Sequence, residues 1–232
     1  MLSALSFLTV LGRGQAPGPR TFRWFPLVGA AVGAVVALSL AGARELWSYP
    51  LAAAVAVALD LAITGMLHVD GLADSADGLL PHLDRERRLE VMRQPDTGSF
   101  ALGTVVIVVL LRWASLTDGT VDPWSLVAVW CISRTTVAVV PAVVPYARST
   151  GLASELITGT GKWIAVAVVP ALGLLAWSQG AQGILAGATA VATTAALVAW
   201  ARVRLGGFTG DVLGAAILLS ETAALLVLAA RP

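Results

Sequence analysis

Between His68 and Gly78 the chain runs His-Val-Asp-Gly-Leu-Ala-Asp-Ser-Ala-Asp-Gly, placing Asp70, Asp74 and Asp77 at i, i+4 and i+7. At about 100° per residue, the three carboxylates fall within an arc of roughly 60° on one helix face. Like charges on one stripe repel, and in a partly desolvated setting a bound cation is the natural means of keeping them ionised. An all-oxygen donor set selects a hard ion. Mg²⁺ fits, because it takes one or two carboxylates and leaves the rest of its octahedron to waters and substrate phosphates. Asp70, Asp74 and Asp77 are therefore expected metal ligands, with Asp74 and Asp77 also candidates for catalysis. His68 stands two residues before Asp70 and could deprotonate a hydroxyl nucleophile if its pKa lies near 7. Gly71 and Gly78 remove side chains that would keep a bulky substrate from the backbone.

Three further groups extend this chemistry. Arg85, Glu86, Arg87, Arg88, Glu90 and Arg93 predict a charged helix whose arginines either clamp phosphates or pair on the surface. Tyr146, Arg148 and Gly151 open a later connection. Gly206-Gly207-Phe208-Thr209-Gly210-Asp211 precedes an apolar run, and a glycine-rich turn ahead of a helix offers free N–H groups to an anion. That makes Gly210 a substrate contact and Asp211 a candidate fourth metal carboxylate. Asp60, Arg134 and Glu221 lie inside apolar runs, where each charge costs at least about 2.5–3.5 kcal/mol. They are expected either to pair, Arg134 with Glu221 or Asp60, or to meet substrate directly.

The elements that position these residues follow from composition. Of 232 residues 57% are hydrophobic and 12% charged, against roughly 25% charged in a soluble domain. Net charge of +1 excludes a phosphate-neutralising nucleic-acid surface, and one cysteine excludes a disulfide framework. An all-α integral membrane protein remains. Seven apolar segments are marked against the roughly 17–25-residue length of a transmembrane helix: Phe25–Ala43, Leu51–Leu67, Phe100–Leu116, Trp124–Val144, Lys162–Trp177, Gly183–Trp200 and Val212–Ala230, the fifth short and interrupted by Pro170. Met1–Leu11 lacks a basic lead and a cleavage pattern, and is expected to be an interfacial or re-entrant helix. Arg13, Arg20, Arg23, Arg85, Arg87, Arg88, Arg93, Arg148, Lys162, Arg202 and Arg204 fall on one side of such a bundle, Arg44 and Arg231 on the other. This places the N-terminus and the connections 68–98, 145–162 and 201–211 in the cytoplasm. Arg112 is expected to snorkel outward beside Trp113. Gly29 and Gly33 form a GxxxG pair suited to an intramolecular helix contact. Residues 1–232 form a single polytopic domain with a cytoplasmic working face.

These motifs together resemble the cobalamin synthase family, the adenosylcobinamide-GDP ribazoletransferases. The likeness rests on HVDGLADSADG, RRLEVMR, Ser133-Arg134, YARSTGL from Tyr146 to Leu152 and GGFTGDVLGA from Gly206 to Ala215, with LSFLTVL and FPLVG near the N-terminus, all in the family's order. The resemblance implies the last stage of cobalamin assembly at the cell membrane. The adenosylcobinamide phosphate group passes from its GDP-activated form to α-ribazole or α-ribazole 5′-phosphate, GMP is released, and Mg²⁺ is required. It also implies that Asp70, Asp74 and Asp77 match the family's acidic motif, His68 its histidine, and Arg93, Arg134, Arg148 and Asp211 its other polar positions. Arg93 and Arg148 would then bind phosphate. Where many members carry Arg-Asp-Ser-Arg-x-Gly this chain has Arg93-Gln94-Pro95-Asp96-Thr97-Gly98, Leu218 replaces a common glutamate, and Asp60 has no counterpart. The implied partners are the two substrates and the bilayer, with a homo-oligomer compatible and nucleic acid excluded.

Two other readings compete. The DGxxADxxD pattern resembles that of CDP-alcohol phosphotransferases, but their arginine after DGxxA and their later paired aspartates are missing here. An ion-coupled secondary transporter would use Asp60, Arg134 and Glu221 as a relay and would show an inverted repeat and a midplane site.

Overall fold

The computed structural model describes residues 1–12, 18, 20–148 and 161–230. Arg13, Gly151 and Arg231, used in the topology and motif readings, lie outside them. The described residues form nine α-helices: α1 Leu2–Leu8, α2 Phe25–Leu46, α3 Tyr49–Ile63, α4 Leu67–Leu79, α5 Arg85–Val91, α6 Ser99–Ala114, α7 Pro123–Val139, α8 Val168–Leu205 and α9 Gly210–Ala229. Short 3₁₀ turns precede α2 and α8 and follow α7. The fold class is all-α, as the composition demands.

Four helical stretches are long and apolar enough to cross a membrane, at Phe22–Leu46, Pro123–Ala142, Lys162–Leu205 and Gly210–Ala229, and the bent pair α3–α4 makes up to five. The apolar surface also faces outward: Leu102 and Ile107 on α6 and Val169 and Trp177 on α8 are 63%, 58%, 69% and 77% exposed. A water-soluble monomer rarely turns so many large apolar side chains outward. Lys162–Leu205 is not one straight rod. Gly180 has φ 58° and ψ −138°, a conformation open to glycine. A Cβ on Gly183 would lie 2.1 Å from the Leu175 carbonyl oxygen, and one on Gly187 would touch the side chain of Leu172. On a continuous helix residues 172 and 187 stand about 22 Å apart, so the chain doubles back at Gly180. Pro170 falls in the first turn of α8, where the absent N–H costs no hydrogen bond.

The bundle closes through small residues, as expected where apolar solvent removes the hydrophobic drive between helices. Cβ atoms on Gly29 and Gly33 of α2 would come within 2.5 Å and 2.7 Å of the Trp130 and Leu126 carbonyl oxygens of α7. The GxxxG pair is thus an intramolecular seam. Gly71 and Gly78 serve the same purpose. A Cβ at 71 would meet the Asp211 carbonyl at 2.8 Å, and one at 78 would meet the Met92 side chain at 2.3 Å. Gly78, expected to make room for substrate, instead admits the end of α5 against α4, while Gly71 admits α9 and also borders the cavity lined by His68, Asp70 and Asp211.

Candidate active site

The site is built on α4. Gly65 and Met66 both take left-handed backbone angles, φ 59°, and the chain turns by 86° between α3 and α4. The acidic helix therefore runs across the end of the bundle and does not continue the apolar helix before it. The expected stripe forms: Asp70, Asp74 and Asp77 all line one pocket of about 240 Å³ with Arg93, Gln94 and Asp96 from the α5–α6 loop. Asp96 stands in the stretch where this chain departs from the family's pattern, so the resemblance carries no metal role to it. Its signal was its place two residues before Gly98, in the loop that must close beside the stripe.

The far wall comes from the α8–α9 turn. Gly206 ends α8 at φ 80°, the Thr209 hydroxyl caps α9 by accepting from Val212 N at 3.2 Å, and Asp211 follows in the first turn, where the helix N-terminus favours negative charge. Segment 145–147 lies beside this turn. Ala147 N donates to the Phe208 carbonyl at 2.9 Å and Phe208 N to that of Pro145 at 3.0 Å, while the Tyr146 and Phe208 rings meet edge to face at 5.4 Å. A Cβ on Gly207 would sit 2.2 Å from the Pro145 carbonyl oxygen, so this approach requires glycine. The pairing delivers Arg148 to Asp211, Nη2 to Oδ2 at 2.9 Å, and to the Met92 carbonyl at 3.3 Å.

These walls enclose a cavity of about 480 Å³, lined on its polar side by His68, Asp70, Arg93, Arg148, Gly210 and Asp211. It shares Asp70 and Arg93 with the acidic pocket. Burial pushes the Asp74 carboxyl up to about 7, and the nearby Asp211 and Asp70 carboxylates push the same way against Arg148. His68 is 3% exposed, and among the described residues its Nε2 has no partner. Burial, then the charges of Arg134 and Arg112, hold its pKa well below the usual histidine value, so it is neutral and a weak base, short of the value near 7 that the expected role in deprotonation needs. Asp77 is differently engaged. Its Oδ2 and Oδ1 accept the Gly98 and Ala101 N–H groups at 2.6 Å and 2.9 Å, so it caps the start of α6 from another helix.

Among the described residues no three His, Cys, Asp or Glu side chains form a ready-made metal cage. Asp70, Asp74 and Asp211 are instead an open oxygen set, mutually repelling and only partly countered by Arg148. This arrangement suits a cation whose remaining positions are filled by waters or phosphates.

Other residues are used differently from expectation. Arg134 is not brought to the cavity. It is 1% exposed and pairs with Glu221, whose Oε1 also accepts from the Ser133 hydroxyl at 2.9 Å. Arg112 does not snorkel. It is 1% exposed, with Nη2 on Asp60 Oδ2 at 2.7 Å and Nη1 on Glu221 Oε2 at 3.0 Å, because two carboxylates within reach outweigh a path to water. The Trp130 indole N–H completes Asp60 at 2.8 Å. The charges inside the bundle are thus consumed by one another. On α5, Arg87 pairs with Glu90 at 2.7 Å. Arg88 donates to the Gly78 and Leu79 carbonyls at 2.7 Å and 3.0 Å, and Arg85 to that of Leu205 at 2.7 Å. The last two cap the C-termini of α4 and α8, where exposed carbonyls favour a cation. Of the basic residues in that stretch only Arg93 lines the cavity.

Fold and site define a class: an all-helical bundle with an apolar exterior, with acids and arginines gathered at one end around an amphipathic cavity. The chain belongs to the cobalamin-5-phosphate synthase family, whose model matches residues 1–229. It is 35% identical to the adenosylcobinamide-GDP ribazoletransferase of Chlorobaculum tepidum, over 98% of this chain and 92% of that one. It is 37% identical to the protein of that name from Pseudomonas aeruginosa, over 99% and 97%, and 35% identical to that of Bradyrhizobium diazoefficiens, over 98% and 92%. No solved structure matches.

Proposed function

We propose that the protein transfers the adenosylcobinamide phosphate group from adenosylcobinamide-GDP to α-ribazole or α-ribazole 5′-phosphate, releasing GMP, as the last stage of cobalamin synthesis. The observation that carries this reading is the meeting of Asp74 in the acidic pocket with Asp211 and Arg148 in the adjoining cavity, across the Asp70 and Arg93 that both share, in a chain matched end to end by relatives of that name. Phosphoryl transfer is mostly positioning and charge stabilisation, and these residues supply both. Asp70, Asp74 and Asp211 would hold Mg²⁺, which when bound neutralises charge on the diphosphate and on the departing GMP. Arg148, fixed by Asp211 and the Met92 carbonyl, and Arg93, without an ion pair among the described residues, orient the phosphates. An acceptor oxygen bonds to the cobinamide-side phosphorus as its bond to the GMP oxygen breaks. Where that oxygen is a hydroxyl, its proton passes to a carboxylate of the acidic stripe, and neutral His68 Nε2 offers it a hydrogen-bond acceptor. Asp77 fixes the start of α6 and with it the acidic pocket.

The same reading sets the protein in the cell membrane with seven spans, the site on the cytoplasmic side and α1 at the interface. The reversal at Gly180 supports counting α8 as two spans, and α3 and α6 supply the shorter ones. Exposed Trp47, Trp124 and Trp177 near the proposed outer ends and Trp163 near the inner one suit interfacial belts. The test is Mg²⁺-dependent GMP release from adenosylcobinamide-GDP plus α-ribazole in membranes holding the full chain. Asp74→Ala should abolish release with protein level unchanged. Retained turnover sinks the metal assignment, and solute uptake without GMP release favours a transporter.

A further inference from the structure

The cavity has two unlike walls. The side formed by α4, α9 and Arg148 carries the acids and the guanidinium, whereas α1, α2 and the turn between them contribute Phe7, Leu8, Phe22 and Phe25 and, among the described residues, nothing polar. The three rings form one cluster, Phe22 and Phe25 at 4.7 Å between centroids, Phe7 at 5.8 Å from Phe25 and 6.4 Å from Phe22. Phosphate chemistry has no use for such a wall, but a planar apolar ring does. At about 480 Å³ the cavity has the size of sites for small organic ligands, and a corrinoid that carries its amide side chains and adenosyl group is far larger than such a ligand. A buried nitrogen without a partner among the described residues, His68 Nε2, lines the same cavity, and a polar group left so costs free energy until a ligand satisfies it.

We infer that this cavity is the acceptor's compartment: the aromatic base of the ribazole lies against Phe7, Phe22 and Phe25, its ribose or phosphate end meets His68 and Arg148, and the corrinoid donor stays outside. The donor inserts only its diphosphate, by way of the adjoining acidic pocket where Asp70 and Arg93 are shared. The N-terminal helix α1 is then part of the acceptor site and not merely a membrane anchor. The wall also sets specificity. A base bearing an exocyclic amine would bury an unpaired donor there, which weakens binding by roughly 5- to 150-fold.

The inference rests on the proposed reaction, and the experiment separates the two. Wild-type protein in detergent is titrated with α-ribazole alone and with adenosine alone, and GMP release is measured with each substrate varied in wild type, Phe7→Ala and Phe22→Ala. Expected are α-ribazole binding without the donor, adenosine at least fivefold weaker, and a KM for α-ribazole raised roughly tenfold in the variants, with the KM for adenosylcobinamide-GDP within twofold of wild type. A shift confined to the donor's KM, equal shifts in both, or equal binding of the two ribosides overturns the acceptor assignment while leaving the reaction standing. Absence of GMP release from wild type with both substrates overturns the reaction itself. Should Phe22→Ala fail to fold, half-buried Phe7 and the wild-type titrations still decide.

Discussion

Arg112→Leu tests the buried charge network. Arg112 bridges Asp60 and Glu221, at 2.7 Å and 3.0 Å, and stands 5.1 Å from the centre of the Trp130 ring. Removing it does not strand both acids equally. Glu221 keeps Arg134 and the Ser133 hydroxyl, whereas Asp60 keeps the Trp130 indole N–H as its hydrogen bond and only the through-space attraction of Arg134. The loss is therefore that of one buried carboxylate left without a bonded counter-charge. Breaking a buried pair costs about 3–5 kcal/mol, and a lone charge at a helix centre costs at least about 2.5–3.5 kcal/mol on insertion scales. The two ranges overlap at about 3–3.5 kcal/mol, a factor of several hundred in the folding equilibrium. Asp60→Asn in the same chain should recover about half of this, because the amide oxygen still accepts from Trp130 while the stranded charge is gone. Unfolding of the purified protein in mixed dodecylmaltoside and dodecyl sulfate micelles, followed by the fluorescence of its eight tryptophans, gives both numbers. A cost below about 1 kcal/mol for Arg112→Leu, or no recovery from Asp60→Asn, would refute the reasoning and restore an outward-facing Arg112.

The remaining predictions concern the acidic helix and the topology. Asp77→Ala should cost about 1–2 kcal/mol through the lost cap on α6 and Asp77→Asn clearly less, read as thermal midpoints; equal midpoints for wild type and Asp77→Ala would refute capping. In metal-free protein Asp74, at about 7 against an ordinary 3.8, keeps its proton in the fold but loses it on unfolding across that window. Stability should therefore fall as pH rises from about 4 to about 7 and level off above. Mg²⁺ should raise the midpoint at pH 8 far more than at pH 5, and a pH-independent Mg²⁺ effect would count against the stripe as its site. Alkaline phosphatase fused after residue 230 should be active in cells and after residue 82 inactive, whereas the reverse would overturn the orientation.

The parts of the site that were legible in the sequence are those governed by local geometry. The stripe of Asp70, Asp74 and Asp77 needs only the helical repeat, and Thr209–Asp211 only the chemistry of a helix start. What sequence reading could not reach depends on distant partners. Arg112 sits in the last turn of a 16-residue helix, where position alone favours snorkelling. Its partners are 52 and 109 residues away, and nothing local announces them. Arg85 and Arg88 resemble phosphate clamps until the carbonyl ends of α4 and α8 arrive beside them. Asp96 needed Asp77 to draw the α5–α6 loop over the stripe.

The glycines show why the ambiguity has a physical root. Gly71 and Gly78 sit in a motif that carries chemistry, and a missing side chain there suits a large substrate as well as a neighbouring helix. Between apolar helices in lipid, close backbone approach must replace the hydrophobic drive that joins helices in water, so packing has the first claim on a small residue. The 2.8 Å that a Cβ at position 71 would leave to Asp211 makes that claim concrete. The glycine serves catalysis indirectly, by letting the helix that carries Asp211 come near the helix that carries Asp70 and Asp74. Gly71→Ala should accordingly weaken Mg²⁺ binding and lower GMP release together, by spreading the acids apart. A variant that kept its Mg²⁺ affinity but lost affinity for the corrinoid donor would return Gly71 to the role of making room for substrate.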